Sequence, residues 1–167
     1  MKDIIDKISS YNIFNYLFPG ILFCILSKEV TGYDFIFSDI ILGVFCYYFI
    51  GLVISRIGSL VIEPILKKIK FVVFSHYTDF IDASKSDPKI ELLSETNNMY
   101  RTIVSLILIL IILRLYSILE INFPIFITIR WVFIALLLLA LFLFSYKKQT
   151  KYIFDRVKRT VEKENKA

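Results

Sequence analysis

Ile127–Tyr146 reads ITIRWVFIALLLLALFLFSY, twenty residues that carry one charge, Arg130. A soluble domain spreads its apolar residues in short periodic runs, and this stretch is unbroken. As a helix at about 1.5 Å per residue it covers about 30 Å, the thickness of a bilayer's hydrocarbon core. Three more blocks of this kind stand at Tyr11–Ser27, Phe37–Ile57 and Thr102–Leu119. Each is long enough for about 25–31 Å of helix, the first and third being short enough to need a flanking turn. The whole chain agrees: 57% of its 167 residues are hydrophobic, and its mean hydropathy is +0.68.

The sequence therefore predicts an all-α, polytopic membrane protein forming a single membrane domain. Four transmembrane helices are expected at 11–27, 37–57, 102–119 and 127–146. A helical loop is expected at 58–101 and a helical tail at 147–167. The first block reads as a retained helix rather than a signal peptide. Lys2 and Lys7 are offset by Asp3 and Asp6, and no small-residue cleavage site follows Leu26.

Lys and Arg set the expected orientation. Lys2 and Lys7 precede the first block. Arg56, at the end of the second block, and Lys67, Lys68, Lys70, Lys85, Lys89 and Arg101 lie on the side of the loop between the second and third. Lys147, Lys148, Lys151, Arg156, Lys158, Arg159, Lys163 and Lys166 follow the fourth. Only Lys28 and Arg130, which stands near the start of the fourth block, fall on the other side, with Arg114 further inside the third. The positive-inside rule then puts both termini and the long loop in the cytoplasm, with the helices in a bacterial inner membrane. The net charge of +5 follows from that asymmetry and is no sign of a nucleic-acid-binding domain. Cys24 and Cys46 both fall within blocks, without C-x-x-C spacing, and read as small buried apolar residues.

Outside the blocks, Met1–Ser10 places Ile4, Ile5 and Ile8 on one face, as in an interfacial helix. In the loop, Pro64 after Glu63 reads as a helix start, with Ile65, Leu66, Ile69, Val72 and Val73 on a broad apolar face. Lys67, Lys68 and Lys70 flank it. Asp87-Pro88 breaks the chain, and Lys89–Arg101 restarts a helix into the third block. In the tail, Lys148, Tyr152, Arg156, Arg159 and Lys163 line a basic stripe with three readings: a contact with membrane lipid, a subunit contact, or a site for a polyanion.

Polar residues inside a membrane are costly and mark candidate sites. The densest set is Tyr11, Asn12, Asn15 and Tyr16, followed by Pro19-Gly20. Asn12 and Asn15 are three apart and share a helical face. Pro19 has no N–H to give the Asn15 carbonyl. Asn12, Asn15, Tyr16 and Pro19 are thus candidates for a pore constriction or hinge, against the plainer reading of hydrogen bonds that hold helices together. Gly20, Cys24 and Ser27 form a small-residue stripe, as do Gly43, Gly51 and Ser55 around Tyr47. Asp39 and Arg114 are expected at similar depth and are read as an intramembrane ion pair, with Glu120 as a competing partner for Arg114. No catalytic, cofactor-binding or metal-ligating set is legible: His76 stands alone, and no phosphate loop, nucleophile triad or H-E-x-x-H occurs. An enzyme is not expected.

The run Tyr11-Asn12-Ile13-Phe14-Asn15-Tyr16-Leu17-Phe18-Pro19-Gly20, with Ser55-Arg56-Ile57-Gly58 and Glu63-Pro64, resembles the membrane effectors paired with nucleotide-making enzymes in anti-phage defence. The Hailong membrane effectors are the nearest of these. The resemblance implies a homo-oligomeric ion channel controlled by a nucleotide or oligonucleotide that a cytoplasmic partner enzyme makes, and it assigns no ligand-binding residues. Lys67, Lys68, Lys70 and the tail's basic stripe are where such a polyanion would meet charge. The alternative is a non-catalytic anchor or assembly subunit that recruits a cytoplasmic protein. A small transporter is disfavoured, since neither a repeat nor a paired acidic site at mid-membrane is visible.

Overall fold

The computed structural model describes residues 10–164, and their side chains over 11–162. Residues 1–9 of the expected interfacial helix lie outside the described residues. Every described element is helical. In chain order they are α1 (Ser10–Asn12), π1 (Ile13–Leu17), α2 (Phe18–Thr31), α3 (Ile40–Ile57), π2 (Gly58–Ile62), α4 (Glu63–Lys68), α5 (Tyr77–Ser86), α6 (Lys89–Asn122) and α7 (Ile125–Glu164). Several run on without a break, so four long apolar helices result: Ile13–Thr31, Ile40–Lys68, α6 and α7. The chain is a multi-pass membrane protein.

The helices outrun the expected spans. The second continues from α3 through π2 and α4 to Lys68 instead of ending at Ile57. At 29, 34 and 40 residues, the last three helices are about 44, 51 and 60 Å long, against a core of ~30 Å. They therefore project well beyond the hydrocarbon, at the end where residues 58–101 and the tail gather. Lys70, with φ +59°, turns the chain just past α4, and α5 packs across the projecting ends of α6 and α7.

Both π-turns have the same cause. Proline lacks an N–H, and in α register its ring strikes the carbonyl four residues back. Before Pro19 the helix widens over Ile13–Leu17, and the Phe18 N–H donates to the Ile13 carbonyl. Before Pro64 it widens over Gly58–Ile62, and the Glu63 N–H donates to the Gly58 carbonyl. In each case the residue just ahead of the proline reaches back five positions. A single wide turn thus keeps the chain helical through a residue that would otherwise kink it.

The first three helices form the core, and two glycines set its spacing. A Cβ on Gly20 would lie 1.8 Å from the Tyr47 carbonyl oxygen, and one on Gly51 would lie 1.7 Å from that of Tyr16. The two small-residue stripes face each other, backbone against backbone. Phe23, Cys24, Ile54, Leu106 and Leu110 close the interior beside them. The fourth helix stands apart. None of its most apolar window is buried, and within the membrane it meets the second helix through the stacked rings of Phe49 and Phe142, 6.0 Å apart.

The far end corrects one expectation. Asp39 and Arg114 do not pair. The Asp39 carboxylate caps α3, accepting from the Leu42 N–H at 2.8 Å, while the Arg114 side chain is exposed on α6. Matching depth left rotation about each helix axis undetermined, and the N–H groups at the head of α3 are a nearer partner for Asp39. Glu120 does not take Arg114 either. It is buried, accepts from the Tyr33 hydroxyl and lies 3.6 Å from Arg130. Burial, and then the bond to Glu120, push the Tyr33 phenol up to about 12.

Because the Gly51 contact is with backbone, it has no flexible atom to yield. Gly51→Ala is expected to cost about 1–3 kcal/mol, measured by reversible denaturation in mixed micelles. Gly43→Ala is expected to cost clearly less, since its Cβ would come closest to the movable Tyr47 ring at 3.2 Å, with Phe37 Cβ at an ordinary 3.4 Å.

Candidate functional site

Two polar assemblies lie one above the other at the end where the helices project. The deeper is centred on Asn15, in π1, which is 1% exposed. Its Oδ1 accepts from the Thr102 hydroxyl at 2.8 Å. Its Nδ2 donates to the Ser55 hydroxyl at 3.3 Å and the Tyr11 hydroxyl at 3.2 Å. Thr102 and Ser55 are themselves 3.2 Å apart, and Asn98 donates to Tyr11. One carboxamide thus joins the first three helices. Tyr16 lies beside it, buried edge-on between the rings of Tyr11 and Tyr48. Asn12 is half-buried at the end of α1, and Pro19 is fully buried below π1.

The shallower assembly is centred on Glu63, the residue between π2 and Pro64. It is buried, and three cations converge on it: Arg101, Lys67 at 2.8 Å and Lys148 at 3.9 Å. Lys148 also donates to the carbonyl and hydroxyl of Ser59, at 2.8 and 2.7 Å. The second, third and fourth helices are joined here. Further out, Tyr152 stacks on Tyr77 of α5 at 4.9 Å, and Arg159 pairs with Asp82. These contacts bind the tail to the loop.

Between the two assemblies lies a cavity of about 710 Å³. Arg56, Lys67, Arg101 and Lys148 line it, with Glu63 as its one acid. Its aromatic wall includes Phe74, Tyr77, Phe80 and Tyr152, and Asn97, Asn98 and Ser94 add neutral polar groups. Tyr11, Tyr16 and Ser55 form its floor and belong to the Asn15 assembly below. The charge balance is uneven, and Arg101 Nε is buried without a hydrogen-bond partner. The volume lies in the usual range for small-molecule sites, ~300–1,000 Å³. Cations matched with aromatic faces and amides suit a phosphorylated, planar ligand. No group of three His, Cys, Asp or Glu side chains gathers among the described residues.

The basic residues singled out in the sequence divide. Lys67, Lys148 and Tyr152 line the cavity, whereas Lys68 and Lys70 are exposed outside it. Arg156 is exposed, Arg159 is paired with Asp82, and the Lys163 side chain lies outside the described residues. Arg56, Arg101 and Glu63 are the functional candidates that sequence reasoning missed. Arg101 was legible only as loop charge, and Arg56 as loop charge within the Ser55–Gly58 run. Glu63 was legible as a helix-start residue in the Glu63-Pro64 run, not as the centre of an ion cluster. Comparison with protein-family models, curated proteins and solved structures returns no match to this chain.

Thr102→Val keeps the shape but removes the hydroxyl that meets Asn15 Oδ1. A loss of about 0.6–2 kcal/mol in micellar unfolding is expected, the scale of interhelical hydrogen bonds in membranes. Glu63→Gln leaves Arg101, Lys67 and Lys148 to repel one another. Faster amide hydrogen exchange over residues 58–68 and 97–101 is expected, with the far end unchanged.

Proposed function

We propose that this chain is an oligomeric membrane channel whose opening is set by a nucleotide or oligonucleotide, and that it serves as an effector in anti-phage defence. The cation-lined, aromatic-walled cavity carries this reading. By the distribution of Lys and Arg, the cavity faces the cytoplasm of a bacterial inner membrane, where a partner enzyme would supply the ligand. Its chemistry fits phosphates on Arg56, Arg101, Lys67 and Lys148, and bases against the tyrosines and phenylalanines.

The arrangement offers a route from ligand to membrane. A phosphate competes with Glu63 for Arg101, Lys67 and Lys148. Arg101 adjoins Thr102, and Tyr11 on the cavity floor bonds to both Asn15 and Asn98. Binding gates conduction if the ligand prefers one arrangement of this assembly to the other. Four helices enclose too little aqueous space for a pore, so conduction calls for several copies. Arg114 supports this: intramembrane charges face a bundle interior or water, and within one chain Arg114 faces outward.

The test is planar-bilayer conductance of the purified protein, with and without short oligonucleotides on the loop-and-tail side. Discrete currents altered by the oligonucleotide are expected, and Asn12→Leu with Asn15→Leu should abolish them. Binding should weaken with salt, with a log–log slope of about −2 for three uncompensated cations, and Arg56→Gln should lower affinity about tenfold. No binding at low salt would remove the ligand from the reading. A silent bilayer with folded, inserted protein would turn it towards a membrane anchor for a cytoplasmic partner.

A further inference from the structure

The fourth helix stands off from the second, and a groove of about 860 Å³ runs between them. Val53, Ile57 and Val61 form one wall, and Leu137, Leu141 and Phe144 the other. Polarity enters at one end only, where Lys147, Lys148 and Lys151 line the mouth. Lys148 is tied to Ser59 and Glu63. Lys147 and Lys151 are exposed and form no ion pair among the described residues.

The dimensions select the occupant. From Ile134, the deepest lining residue on α7, to Lys147 is thirteen residues, about 20 Å of helix. That is a little more than one leaflet of a core ~30 Å thick. A helix of a second copy would cross both leaflets. A groove one leaflet deep, apolar along its length and cationic at the headgroup level, has the shape and charge of a phospholipid binding site. Clustered lysines just outside a membrane helix favour anionic headgroups.

We infer that the groove seats an acyl chain of an anionic phospholipid, with the lipid phosphate held by Lys147 and Lys151. The seat belongs to this chain and does not depend on the nucleotide cavity, although Lys148 lines both. It gives the loosely packed fourth helix a lipid partner where the protein offers none.

The full chain, extracted from vesicles of equal phosphatidylglycerol and phosphatidylcholine, is examined by native mass spectrometry and lipid extraction. At least fivefold enrichment of phosphatidylglycerol is expected. Lys147→Gln with Lys151→Gln, both exposed positions, should abolish the preference without lowering Tm. Ala140→Phe, which places a ring in the groove, should reduce the retained lipid of either kind. Equal retention of the two lipids by the unaltered chain overturns the inference, as does a preference that survives in the double variant. If Ala140→Phe instead breaks an oligomer and leaves lipid retention unchanged, a second copy occupies the groove, and the inference fails.

Discussion

A carboxamide has four hydrogen-bonding positions, and hydrocarbon can meet none of them. Asn15 sits 1% exposed among three apolar helices, so its partners must come from those helices. Thr102 supplies a donor to its oxygen, and Ser55 and Tyr11 accept from its nitrogen. Rotating any one helix by a third of a turn would strand buried polar atoms. Apolar packing alone would tolerate many such rotations, because lipid competes equally well for leucine. The polar contact therefore chooses one arrangement among several of similar apolar quality.

The rest of the projecting end follows from holding that arrangement. Gly20 and Gly51 let the first two backbones touch, which brings Ser55 within reach of Asn15. The wide turn before Pro19 presents Asn15 and Tyr16 inward, and the equivalent turn before Pro64 places Ser59 and Glu63 toward the third and fourth helices. π-turns are often found at functional sites. Here both border one cavity, and the proline that causes each turn lies just beyond it.

Much of the architecture was legible because unbroken apolar runs have no other use. Residues 127–146 could be read as a membrane helix from their length and lack of charge. Proline was harder to read. At Pro19 the lost hydrogen bond was visible, but not that the helix would widen to absorb it. At Pro64 a helix start was the natural reading, whereas the second helix simply continues. Asp39 and Arg114 show a different limit. Counting residues gives depth along a helix, but the direction in which a side chain points depends on packing that no local pattern encodes. Glu63 shows a third. Its partners Arg101 and Lys148 are remote in sequence: Arg101 read as one loop charge among several, and Lys148 as one member of the tail's basic stripe, with nothing to join either to Glu63.

Asn15 and Thr102 are separated by 87 positions, and chain synthesis gives that separation a meaning in time. When the first two helices have entered the bilayer, the third has yet to join them there. In that interval the Asn15 amide nitrogen has Tyr11 and Ser55 for company, but its oxygen has no hydroxyl from Thr102. Helices that insert singly and associate afterwards can pass through such a state only if the emerging pair is sheltered or briefly wetted. The early hairpin is therefore unfinished in one specific atom, and the arrival of the third helix is what completes it. A break in translation before Thr102 would leave a pair of helices with an exposed acceptor inside the membrane, a distinct mark by which quality control could recognise an incomplete chain.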